Sequence, residues 1–225
     1  PLATIEDHQH ALGEVEAPLD QRPQERRQHL RVLRVRFDEA AEALLPRRRD
    51  AERDLMWEAM RQVAYERAPR AVLLRGASGV GKSRLAGWFS SRAHELGSAK
   101  VLYARHSPMR TPFDGVIPML ARYFRSAGLS GAELYDRVRH HLERIWVRDE
   151  RDWSLLSDLL SPDAASVKGR FYSHAERHTV ISRYLFYESD ERPVLLWFDD
   201  VQWGAEALML RRAIFEYAKE RQFPI

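Results

Sequence analysis

Gly76-Ala77-Ser78-Gly79-Val80-Gly81-Lys82-Ser83 has the spacing G-x-x-x-x-G-K-[ST]. It stands between a short apolar run, Ala71 to Leu74, and a stretch of helix formers from Lys82 to Leu96. Strand, loop and helix in that order is the context the pattern needs. Glycines at 76, 79 and 81 let the backbone take positive φ and turn its amides inward around an anion. A helix starting at Lys82 adds the positive end of its dipole to the same anion. Lys82 supplies a flexible point charge suited to β- and γ-phosphates, and the Ser83 hydroxyl is suited to Mg²⁺.

Outward from this loop, the pattern of strands and helices sets the fold class. The spacing predicts a helix over 50–65, a strand over 71–74, a helix over 82–96 that Gly97 ends, and a second strand over 99–104. Residues 112–188 read as mainly helical, broken by Gly128, Pro162 and Gly169. Pro193 opens a third strand over 194–198, and a helix over 205–220 follows. Strands separated by helices give an α/β domain with a parallel sheet. With the loop, the expectation is a P-loop NTPase three-layer fold. Residues 24–45 read as helix formers that Pro46 stops.

The second stretch with chemistry is Val194-Leu195-Leu196-Trp197-Phe198-Asp199-Asp200. A buried strand ending in two carboxylates puts them at the C-terminal edge of a sheet, where open α/β folds bind ligands. Asp199 is the candidate Walker B acid for Mg²⁺, and Asp200 stands where a water-orienting base belongs. The catalytic candidates are thus Lys82, Asp199 and Asp200, and the metal candidates Ser83 and Asp199.

Composition narrows the alternatives. The 225 residues are 44% hydrophobic and 31% charged, which suits a protein with a real core. No apolar run is long enough to span a bilayer, and residues 1–20 lack the basic and apolar regions of a signal peptide. There is no cysteine, which excludes disulfides, thiolate metal sites and cysteine nucleophiles. Net charge is only +3, which argues against a nucleic-acid partner. His174 and His178 are spaced as in a zinc helix, but Ala175 follows His174, so His-Glu-x-x-His fails. His140-His141 is an adjacent pair pointing in different directions and reads as surface. The tryptophans read as core apart from Trp203, beside the two acids.

Four stretches resemble the Orc1-like AAA ATPase modules of bacterial signalling proteins, close to the STAND class. Arg49-Asp50-Ala51-Glu52, with Leu55 and Trp57, is similar to the family's entry motif, though Arg47-Arg48 replace its Val-Gly. Arg75 to Leu85 matches its phosphate loop through Arg84, Pro112-Phe113 its dipeptide after the second strand, and Asp199-Asp200-Val201-Gln202-Trp203 its most specific signature. After Trp203 the family's usual Ala-Asp is Gly204-Ala205 here.

The resemblance implies an AAA-type domain over 44–225 preceded by a linker or the tail of another domain over 1–43. It implies ATP and Mg²⁺ as ligands, bound at Gly76, Ala77, Ser78, Gly79, Val80, Gly81, Lys82, Ser83 and Arg84, with Arg49 near adenine. It also implies a cytoplasmic regulatory switch within a larger protein, with a Ser/Thr kinase, cyclase or regulator domain and helical repeats as its covalent partners, and nucleotide-dependent self-association. The alternatives are an ATP-sensing scaffold that does not hydrolyse and an origin-recognition-like DNA-binding ATPase. The chain starts at Pro1 and ends where another strand is expected, at Phe223, so a fragment is expected. The family's sheet order places that missing fourth core strand between 71–75 and 194–198, so the expectation is either a gap at the sheet centre or a rearrangement of those two strands.

Overall fold

The computed structural model describes residues 5–7, 32–36, 49–109, 111–161 and 173–225. Five strands and seven helices are assigned there: β1 (Ile5–Asp7), β2 (Val32–Arg36), α1 (Asp50–Glu66), β3 (Ala71–Arg75), α2 (Lys82–Glu95), β4 (Lys100–Arg105), α3 (Val116–Phe124), α4 (Gly131–Arg144), α5 (Glu150–Leu160), α6 (His174–Glu188), β5 (Val194–Asp199) and α7 (Ala205–Tyr217). Pro162 and Gly169, expected as helix breaks, lie outside the described residues.

The strands form two ladders. β2 runs parallel to β3 from Val32↔Ala71 to Arg36↔Arg75, with β1 antiparallel on its other edge. β4 runs parallel to β5 from Lys100↔Val194 to Arg105↔Asp199. No ladder joins β3 to β5. Residues 223–225 lie near the starts of both: the Ile225 carbonyl accepts from Arg70 N–H at 2.9 Å, and the Pro224 carbonyl from Val194 N–H at 3.0 Å. Phe223 N–H also donates to the Arg67 carbonyl at 2.7 Å.

The helix expected over 24–45 is corrected at 32–36, which is strand. Val32-Leu33-Arg34-Val35-Arg36 has a strand's β-branched residues and alternation, and a ready partner in β3 overrides the helix propensity of its neighbours.

Alternation along β5 divides its side chains between two apolar clusters. Leu195 packs with Met56, Leu85 and Phe89 in a smaller cluster built from α1, β3 and α2. Val194, Leu196 and Phe198 join the larger one, which α3 to α7 close over β4. On β4, Leu102 and Ala104 are buried toward that larger cluster. Tyr103 instead meets Trp197 with ring centroids 4.3 Å apart. Gly87 of α2 lies against the same Trp197, where a Cβ would stand 3.3 Å from the indole. Burying one leucine or phenylalanine contributes about 1.5–3 kcal/mol, so the larger cluster carries most of the stability.

Polar side chains cap the starts of two helices. Ser173 and Glu176 form a reciprocal capping box at α6, and the Asp149 carboxylate accepts from Arg151 N–H at α5.

Candidate functional site

The phosphate loop joins β3 to α2. Gly79 (φ 89°) and Gly81 (φ 88°) take the left-handed backbone that a side chain would strain. Val80 between them is buried in the smaller apolar cluster and anchors the loop, while Gly76, Ser78 and Gly79 face solvent. The first turn of α2 contains no acidic residue to neutralise its amides.

Lys82 folds back over the loop. Its Nζ donates to the carbonyls of Gly76 at 3.0 Å and Ala77 at 2.5 Å, so an incoming phosphate competes with two neutral acceptors for one ammonium. Arg49, just before α1, donates through Nη2 to the Val80 carbonyl, and its Nη1 lies 3.6 Å from Glu52. The residue expected near adenine is therefore placed against the backbone of the phosphate loop. Arg84 is exposed one residue beyond Ser83.

β5 delivers the carboxylates. Ser83 Oγ donates to Asp199 Oδ1 at 2.8 Å, uniting the end of the loop with the end of the strand. Hydroxyl and carboxylate oxygens are the hard donors Mg²⁺ takes, so the pair fits that ion. Among the described residues no group of three or more His, Asp or Glu could hold a metal by itself. A cation here needs further oxygens from its ligand, as Mg²⁺ with a nucleoside triphosphate has.

Asp200 follows in left-handed backbone (φ 52°, ψ 41°), with its carboxylate exposed and accepting from Gln202 Nε2 at 3.3 Å. A single 3₁₀ turn over Val201–Trp203 leads to Gly204, and Trp203 is half exposed beside it. Burial, then the nearby Asp199 carboxylate, raise the Tyr103 hydroxyl pKa and keep that phenol neutral.

Sequence reasoning names Lys82, Ser83, Asp199 and Asp200, and the structure brings Ser83 and Asp199 into contact. It misses His106, the residue after β4. The His106 ring is buried against Phe198 and Gly204, with Nδ1 3.0 Å from the Asp199 carbonyl. No local pattern marks it; the only sequence trace is the unusual glycine at 204.

Comparison with known proteins gives one positive result. A family model described as AAA ATPase domain matches residues 45–215. No match is found among curated proteins or among solved structures. Among the described residues no helix is long and apolar enough to cross a membrane. A match over well more than half of the chain, containing both the phosphate loop and the paired acids, places this chain in the AAA ATPase domain family.

Proposed function

We propose that residues 44–225 form an ATP- and Mg²⁺-binding switch module of the Orc1-like, STAND-related type, with a P-loop three-layer arrangement, that hydrolyses ATP slowly. The observation that carries this reading is the 2.8 Å contact between Ser83 Oγ and Asp199 Oδ1, one donor from each motif at a single point.

The loop amides over 76–83 receive the phosphates, and Lys82 exchanges its two carbonyl acceptors for β- and γ-phosphate oxygens. Ser83 and Asp199 would hold Mg²⁺, which would supply neutralisation of phosphate charge. Asp200 orients the attacking water. Arg49 stiffens the phosphate loop through Val80, and Arg84 stands at the edge of the phosphates. Hydrolysis and product release reset the switch for domains of the same polypeptide, for which kinase linkage and self-association are the readings the resemblance supports.

Two variants test the assignment. Lys82→Ala is expected to weaken ATP binding by about 10-fold or more, measured by fluorescent-nucleotide titration. Asp200→Asn is expected to keep affinity and slow single-turnover hydrolysis by at least about 100-fold. Unchanged affinity in the first variant sinks the nucleotide site. Unchanged hydrolysis in the second favours an ATP-sensing scaffold.

A further inference from the structure

His106 and Asp199 meet at one carbonyl. His106 N–H donates to the Asp199 oxygen at 3.2 Å, and the ring Nδ1 lies 3.0 Å from the same atom. A carbonyl only accepts, so Nδ1 carries a proton in this contact. Nε2 is buried and has no hydrogen-bond partner, and the residue is 5% exposed. Across the ring stands Gly204: a Cβ there would lie 2.5 Å from His106 Cδ2 and 2.7 Å from Nε2. Real Cβ atoms do not approach that closely, so this ring at 106 requires glycine at 204.

Leaving a buried ring nitrogen without a partner is unfavourable, so an apolar ring of similar size would pack here more favourably. What the histidine adds is the Nδ1–H donor. The bond it makes fixes the peptide between Asp199 and Asp200, where Asp200 holds a left-handed conformation that side chains rarely adopt. Rotation of that peptide would redirect the Cα–Cβ bond of Asp200 and displace its carboxylate.

We propose that His106 is a positioning residue for hydrolysis. Through the doubly bonded Asp199 carbonyl it locks the Asp199–Asp200 peptide and sets the Asp200 carboxylate, with Gly204 providing the space for its ring. The inference rests on the ATPase reading above and assigns the histidine no proton transfer.

The test compares ATP affinity and single-turnover hydrolysis in His106→Phe, His106→Asn, His106→Ala, Gly204→Ala and the His106→Ala/Gly204→Ala double variant. Phenylalanine keeps the volume and loses the donor, whereas the asparagine amide lies near the place of Nδ1. His106→Phe is expected to slow hydrolysis about 10-fold with affinity held within about twofold, the loss of one hydrogen bond felt after binding. His106→Asn is expected to recover to within about threefold of wild type. Gly204→Ala is expected to slow hydrolysis as His106→Phe does. The double variant should be no slower than His106→Ala alone, because the clash then has no ring to meet.

Wild-type rates in His106→Phe, equal losses in the phenylalanine and asparagine variants, or additive losses in the double variant overturn the proposal. A wild-type protein that binds no ATP overturns the proposed function instead. The His106 arrangement is then judged by imidazole ¹H–¹⁵N correlation spectra. A slowly exchanging Nδ1 proton, lost in Gly204→Ala, supports it; absence of that proton from wild type overturns it.

Discussion

Ser83 and Asp199 are 116 residues apart in the chain and 2.8 Å apart in space. A hydroxyl and a carboxylate satisfied by each other have little reason to separate unless a cation takes both. Ser83→Ala is therefore expected to reduce ATP affinity about 10-fold with Mg²⁺ present and to change it little in excess chelator, measured by calorimetric titration. Equal losses in both conditions would show that the serine serves the loop's fold and not the ion.

At this scale Lys82 and Ser83 can be named from sequence because the pattern is local: eight consecutive residues spell out loop, donor and helix start. Asp199 and Asp200 are legible for the same reason, at the end of an apolar strand. His106 is not, because its role depends on a ring contact with Gly204 and a carbonyl on another strand. Arg49 is legible as part of a motif, but the carbonyl it meets is set by how α1 lies against the loop.

Between elements, the most consequential polar feature is Glu188 at the end of α6, which is 2% exposed. Its carboxylate meets Lys100 of β4 at 2.9 Å, His141 of α4 at 2.9 Å, the Tyr123 hydroxyl of α3 at 2.7 Å and Tyr184 of its own helix at 3.1 Å. Four elements thus converge on one charge, and His141, read from sequence as a surface residue, is drawn inward while His140 remains exposed. That error has a physical source: α4 is amphipathic, and adjacent residues on a helix point about 100° apart, so only one histidine of the pair faces the core.

Burial pushes the Glu188 pKa up, but the hydrogen bond and charge of His141, with Tyr123 and Lys100, outweigh it and hold the group at about 2. A carboxyl depressed on folding stabilises the fold above its unfolded pKa and loses that contribution as pH falls toward the folded value. Stability is expected to decline between about pH 4.5 and pH 2 by on the order of 3 kcal/mol from this group, and Glu188→Gln should flatten that limb of a urea-midpoint profile. Lys100→Met leaves the carboxylate short of its cation and is expected to cost about 3–5 kcal/mol at neutral pH. Adding Glu188→Leu should return much of the loss.

For the molecule as a whole, ligand binding should appear as stability. If ATP with Mg²⁺ binds only the folded chain, ligand at about 100 times its Kd adds about 2.7 kcal/mol. A thermal melt should rise accordingly, and Lys82→Ala should abolish the rise. The α/β class is readable from the order of strands and helices, whereas the lack of a ladder between β3 and β5 is one of two outcomes that only the family resemblance suggests. The strand Val32–Arg36 is not readable, because its pairing partner begins 39 residues later at Ala71.

The separation of β3 from β5 has a mechanical consequence. The phosphate loop rides on one ladder and the paired acids on the other. At the strands' beginnings the two are laced through residues 223–225, and in the middle Leu195 packs in the apolar cluster that also holds Val72 and Leu74. At their far ends the Ser83–Asp199 contact spans them. The arrangement is a pair of tongs, with its pivot at Arg70 and Val194 and its tips at Ser83 and Asp199. If Ser83 and Asp199 hold the ion as proposed, a small slip at the pivot would be amplified along the five and six residues of the two arms, and the grip would be adjusted from the end opposite the chemistry.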